Sequence, residues 1–184
     1  MGMQTYSFKY IVTALVVSTV GFSPAGAASL DDLFADLAQA EDGAGGRIER
    51  QIVGIWENSG SPSMDLLLRR GKDALNNGDA DAALDHFSAL VDHAPDFAEA
   101  YNGRATAFFL LGLTGPALDD LRQVLVLSPR QFSAMRGVAV ILEDLGRPAD
   151  ALEVYAAILA LNPADTDIQE VAARLELELE GQAL

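Results

Sequence analysis

The sequence predicts an all-α solenoid: three helix-turn-helix repeats, a divergent helical pair before them and one capping helix after them. Three observations predict it. Pro95, Pro129 and Pro163 recur every 34 residues, and so do Gly78, Gly112 and Gly146, then Ala83, Ala117 and Ala151, then Phe87, Leu121 and Tyr155. Apolar residues stand at helical spacing on both sides of each glycine. A hairpin of this size cannot bury its apolar face alone, so neighbouring copies must stack on one another.

The elements follow in order. In residues 1–27, Lys9 precedes an apolar run over residues 10–22, broken by Pro24 and followed by the small residues Ala25, Gly26 and Ala27. About 13 apolar residues suit a signal-peptide core, whereas a spanning helix needs about 20. Cleavage after Ala27 and export are expected, without stable membrane insertion afterwards; an uncleaved inner-membrane anchor is the alternative.

Residues 28–61 open with Ser29 placed to cap a helix whose first turn carries Asp31 and Asp32. Leu30, Leu33, Phe34 and Leu37 form its stripe, and a Gly-rich turn at residues 42–46 leads to a second helix. There Ile48, Ile52, Ile55 and Trp56 share one face, so Trp56 reads as core. Counting back one period from Leu67 and Phe87 reaches Leu33 and Val53. This pair is therefore expected to be a degenerate repeat that caps the N-terminal end of the stack.

Residues 62–97, 98–131 and 132–165 are the three repeats. Their first helices are apolar at Leu67, Ala74 and Leu75; at Tyr101, Phe108 and Leu111; and at Met135, Val138 and Leu142. A glycine stops each first helix by accepting a left-handed backbone. In each second helix a small alanine lets two backbones approach while the large residue four positions on fills the space beside it, as in Ala83 and Phe87. A proline then closes the unit, while Pro116 and Pro148 lie near second-helix starts, where a missing amide hydrogen costs little. In residues 166–184, Ile168, Val171, Ala172, Leu175 and Leu179 keep the helical period, so the alternating tail Arg174–Glu180 is predicted as cap helix rather than strand.

The repeat resembles the tetratricopeptide repeat (TPR) family. The columns that carry the resemblance are Leu67, Gly71, Ala83, Phe87 and Pro95; Tyr101, Ala105, Phe108, Ala117, Leu121 and Pro129; and Met135, Ala139, Leu142, Ala151, Tyr155 and Pro163. It covers residues 64–165 and departs from the pattern where the family opens its second helix with an aromatic; Ala80, Thr114 and Pro148 stand there. The opening LDDLFADLA and the block IWENSGSPSMDLLLRRG also look like the start of exported bacterial members of the family.

The resemblance implies a concave surface, lined by the first helix of each unit, that takes an extended or helical segment of a protein partner. Spacings of three and four place Asp65, Leu68, Lys72 and Leu75 on it in the first unit. Glu99, Asn102, Thr106 and Phe109 follow in the second, and Ser133, Arg136, Val140 and Glu143 in the third. Because Phe108 fills the packing slot, Phe109 points about 100° away; it is either an anchor for a partner side chain or a contact to the adjacent first helix. Lys72, Asn102 and Arg136 either hold a partner carboxylate or are simply solvated.

Other chemistry is thinly represented. With 27 acidic against 12 basic residues and a formal charge of -15, nucleic acid and anionic membrane are poor partners. There is no cysteine and no Asn-x-Ser/Thr acceptor, which excludes disulfides and favours a bacterial periplasm over a eukaryotic secretory route. His86 and His93 lie two helical turns apart, about 10 Å, too far for a ready metal pair, and the Asp31–Asp32 and Asp119–Asp120 pairs read as solvated faces. No catalytic motif, cofactor or metal is expected. The expected function is a non-catalytic adaptor. Alternatives are a self-associating assembly component, using an imperfect cap near Gly43 and Gly46, and a hydrolytic enzyme with His86 as base.

Overall fold

The computed structural model describes residues 28–41 and 44–182. The expected export signal, residues 1–27, lies outside them. Among the described residues there are nine α-helices and no strand: α1 (Leu30–Leu37), α2 (Gly45–Trp56), α3 (Pro62–Asn76), α4 (Ala80–His93), α5 (Ala98–Leu110), α6 (Thr114–Leu127), α7 (Phe132–Asp144), α8 (Pro148–Leu161) and α9 (Thr166–Gln182).

Local chemistry sets the helix ends. Ser29 Oγ accepts from the Asp32 amide at 3.2 Å while the Asp32 carboxylate accepts from the Ser29 amide at 3.1 Å, a reciprocal cap on α1. Asp79 caps α4 by accepting from the Ala82 amide at 3.0 Å. Gly78, Gly112 and Gly146 take φ values of 76°, 75° and 69° after α3, α5 and α7, the left-handed stop expected of them.

The small and large columns nest as predicted. Phe87 is fully buried and lies between α3 and α5, where Gly71 and Gly103 open the space: a Cβ on residue 71 would fall 2.6 Å from the ring, and one on residue 103 would fall 2.3 Å from it. Leu121 repeats the arrangement more loosely against Gly137, at 3.1 Å. The first helices α3, α5 and α7 meet in series, whereas α4, α6 and α8 approach one another less closely, so the stack curves toward the first helices. At the C-terminal end α9 buries Ile168, Ala172 and Leu175 and caps the stack, helical through the Leu-Glu tail.

The N-terminal pair departs from expectation: α1 and α2 do not cap the N-terminal end. They share one core with the third repeat and α9, formed by Leu33, Phe34, Leu37, Ile48 and Ile52 with Phe132, Tyr155, Ile158 and Ile168. The physical reason is in the columns that must be small. One period before Gly71 and Ala83 stand Leu37 and Glu49, too large for the close backbone approach that stacking requires. The end of the stack at α3 instead carries exposed Arg69, Arg70 and Asp73. Ile55, expected on the buried face of α2, is 42% exposed because the seat runs along Ile48, Ile52 and Trp56.

One acidic pair also differs from its sequence reading. Asp119 is exposed and pairs with Arg122, but Asp120 is buried and accepts two bonds from Arg104, at 2.7 and 2.8 Å. The Arg104 guanidinium also lies 5.5 Å from the Tyr101 ring centroid and 5.8 Å from that of Phe108.

Candidate functional site

The inner surface of the curve is built from α3, α5 and α7, and the chain's own α2 runs along it. At one end Asn162, between α8 and α9, donates to Glu49 at 2.9 Å and sits 3.2 Å from where a Gly45 side chain would begin. At the last residue of α2, the Trp56 ring lies 4.9 Å from Phe132 at the start of α7 and 6.1 Å from Phe34. At the other end Lys72 of α3 donates to Glu57 at 2.5 Å. Arg130, over the Phe34 ring at 4.2 Å, also pairs with Asp31. A cavity of about 220 Å³ remains beneath α2, bounded by Val53 and Glu57 above and by Leu68, Lys72, Asn102 and Ser133 below.

The predicted groove residues therefore divide. Leu68 is buried, and Lys72 is taken by Glu57. Asp65 accepts from the Ser59 amide and hydroxyl, which ties down the segment between α2 and α3. Glu143 accepts from Tyr155 at 2.7 Å and from Arg174 at 2.6 Å. By contrast, Asn102, Thr106, Phe109, Arg136 and Val140 come together around an open cavity of about 210 Å³ between α5 and α7, floored by Ala105, Leu121 and Ile141. Phe109 is half-buried against the second-repeat core and presents its remaining surface to this cavity.

The shared carboxylate clamp is not formed. Lys72 pairs with Glu57, Arg136 pairs with Asp165, and Asn102 donates at 3.3 Å to both Glu99 and Ser133. Each cation is engaged by a carboxylate of this acidic chain. Asp165 in turn caps α9 by accepting from the Ile168 amide at 3.1 Å, so its pair with Arg136 fixes α7 to the C-terminal helix. The Arg136 Nε is nonetheless buried without a hydrogen-bond partner among the described residues, beside the open cavity.

Glu99 was placed on the groove but lies deeper than its spacing suggested, only 8% exposed. It accepts from Gln131 and Asn102. Burial pushes its carboxyl above the usual range, against the Asn102 bond; nearby Glu57 adds to the rise and Lys72 opposes it. Gln131, a fully buried partner at the head of α7, was missed by sequence reasoning because it falls in a connection between repeats. The two histidines stand apart from all of this on α4, one half-buried and one exposed.

Comparison with known proteins agrees with the repeat fold. The tetratricopeptide-repeat family model matches residues 68–115 and 116–166. A TPR repeat-containing protein of Rhizobium etli is 33% identical over 153 residues, covering 83% of this chain and 75% of that protein. DnaJ homolog subfamily C member 3 of Rattus norvegicus is 34% identical over 64% of this chain, but that match spans only 23% of its own length. Among solved structures, the first TPR of Spaghetti bound to an HSP90 peptide superposes with a TM-score of 0.60 at 20% identity, over 64% of this chain and 95% of that one. MamA superposes with a TM-score of 0.59 at 20% identity, over 77% of this chain and 78% of that one.

Proposed function

This chain belongs to the tetratricopeptide-repeat family, and we propose that it is an exported, non-catalytic module that holds a segment of an envelope protein against its concave face. The observation that carries the reading is the open cavity between α5 and α7. It offers an apolar wall from Phe109 and Val140 and polar groups from Asn102, Thr106 and Arg136. An apolar pocket with a few convergent polar groups is the usual form of an anchor site. The likeness to a TPR structure bound to an HSP90 peptide supports peptide binding as a class.

The test is crosslinked capture from envelope extract with the full chain and with Phe109→Ala and Thr106→Arg. Each variant leaves the repeat columns intact. Loss of the same captured protein in both is expected, and capture unchanged in both contradicts the reading.

A further inference from the structure

The groove already contains a ligand, and it belongs to the chain. We propose that the α1–α2 pair is a built-in strap, and that the partner which opens the groove is an amphipathic helix of the same design as α2, with an Ile-Ile-Trp type apolar stripe and carboxylates at the Glu49 and Glu57 positions. This rests on the concave face being the binding surface, and it names the class of segment received there.

The seat of α2 defines that class. Ile48, Ile52 and Trp56 recur every four residues and face the array, with Ile48 and Ile52 buried. Carboxylates flank the stripe, Glu49 toward Asn162 and Glu57 toward Lys72, with Asp31 of α1 on Arg130. An incoming helix with large apolar residues at this spacing and carboxylates where Glu49 and Glu57 stand meets the same partners.

The seat is also the poorest joint in the molecule. Among the described residues, four buried side-chain atoms have no hydrogen-bond partner. Three belong to residues along this seam: Trp56 Nε1, Gln131 Oε1 beside Phe132, and Asn162 Oδ1 beside Gly45. The cavity beneath α2 and the buried carboxylate of Glu99 lie under the same helix. Between repeats, Ala83, Phe87, Ala100, Ala117 and Val124 are completely enclosed, and the fourth unpartnered atom, Arg136 Nε, lies beside the open cavity of α5 and α7. Unmade bonds and unfilled volume lower the stability of the closed arrangement relative to one in which a better-fitting helix takes its place. The short connection from Glu57 to α3 keeps the strap at high effective concentration, so a partner must bind more tightly than an untethered copy of α2 to displace it.

The chain has no cysteine, so a lock can be placed on the strap. In the full chain carrying Gly45→Cys and Asn162→Cys, oxidation fastens α2 in place and reduction frees it. The probe is a synthetic, end-blocked, fluorescent peptide of residues 44–58, followed by anisotropy. Reduced protein is expected to bind it at least about tenfold more tightly than oxidised protein. Trp56→Ala in the cysteine-free chain is expected to strengthen binding, with helical content checked by circular dichroism. Equal affinity in the two redox states, or no binding after reduction, overturns the proposal. Loss of partner capture with Phe109→Ala stands independently, because Phe109 lines the open cavity rather than the seat of α2.

Discussion

Trp56 of α2 packs its ring 4.9 Å from that of Phe132 in α7, at a tilt of 54°, across the inner face of the repeat stack. Trp56 is the only tryptophan in the chain, so tryptophan fluorescence reports the surroundings of this one ring. Phe132→Ala removes a side chain that is 6% exposed, and large-to-small core changes of this kind cost about 3 kcal/mol or more. The expected outcome is a red-shifted emission with greater acrylamide quenching while helical content is retained. An unchanged spectrum would place the two rings apart.

Gly103→Ala tests the nesting of hairpins. The added methyl would fall 2.3 Å from the Phe87 ring, which is fully buried. Overpacking of this kind costs about 1–3 kcal/mol. Chemical denaturation should show a lower midpoint, and Phe87→Leu in the same background should recover part of the loss.

Asp120→Ala strands the Arg104 guanidinium, whose side chain is only 20% exposed. Breaking a buried pair costs about 3–5 kcal/mol, and partial exposure here reduces that to about 2. A substitution of exposed Asp119, 73% accessible, should change stability by less than about 0.5 kcal/mol. Equal effects at the two positions would mean that Asp120 is solvated as well.

Glu99 makes stability depend on pH in a defined direction. Its carboxyl is raised in the folded chain by burial, so the folded state binds more protons than the unfolded state between the ordinary carboxylate value and the raised one. Its contribution is therefore largest below that window and declines as pH rises through it. Asp32 and Asp65, held low by bonds from Ser29 and Ser59, act in the opposite sense at lower pH. The informative quantity is the difference between the full chain and Glu99→Gln. The wild type should lose stability relative to this variant as pH rises through the window, and parallel curves would contradict the assignment.

The repeats were legible because their packing is local and periodic. Ala83, Phe87 and Pro95 recur one period apart because each hairpin solves the same nesting problem, and Gly78 needs its left-handed backbone whatever lies nearby. Gly103 carried a weaker signal, since a glycine within a helix does not reveal which ring it makes room for. Phe109, Thr106 and Val140 followed from helical spacing. The engagement of Lys72 and Arg136 did not, because Glu57 and Asp165 lie on other elements at separations that no period encodes. The placement of α1 and α2 was misread for a related reason. Register matched at Leu33 and Val53, yet Leu37 and Glu49 occupied the two columns that must be small. Those two residues were the available sign that the pair would dock by its side chains elsewhere.

The most direct measurement of the account is the bond between residues 45 and 162. A Cβ on residue 45 lies 3.6 Å from the Asn162 Cγ, the position a cysteine sulfur would take, and the geometry is within reach of a disulfide. In the chain carrying Gly45→Cys and Asn162→Cys, peptide mapping after mild oxidation should find these residues joined within one molecule, at monomer mass and native helical content. A native chain that forms no such bond, or forms it only between molecules, would mean that α2 does not lie along the inner face.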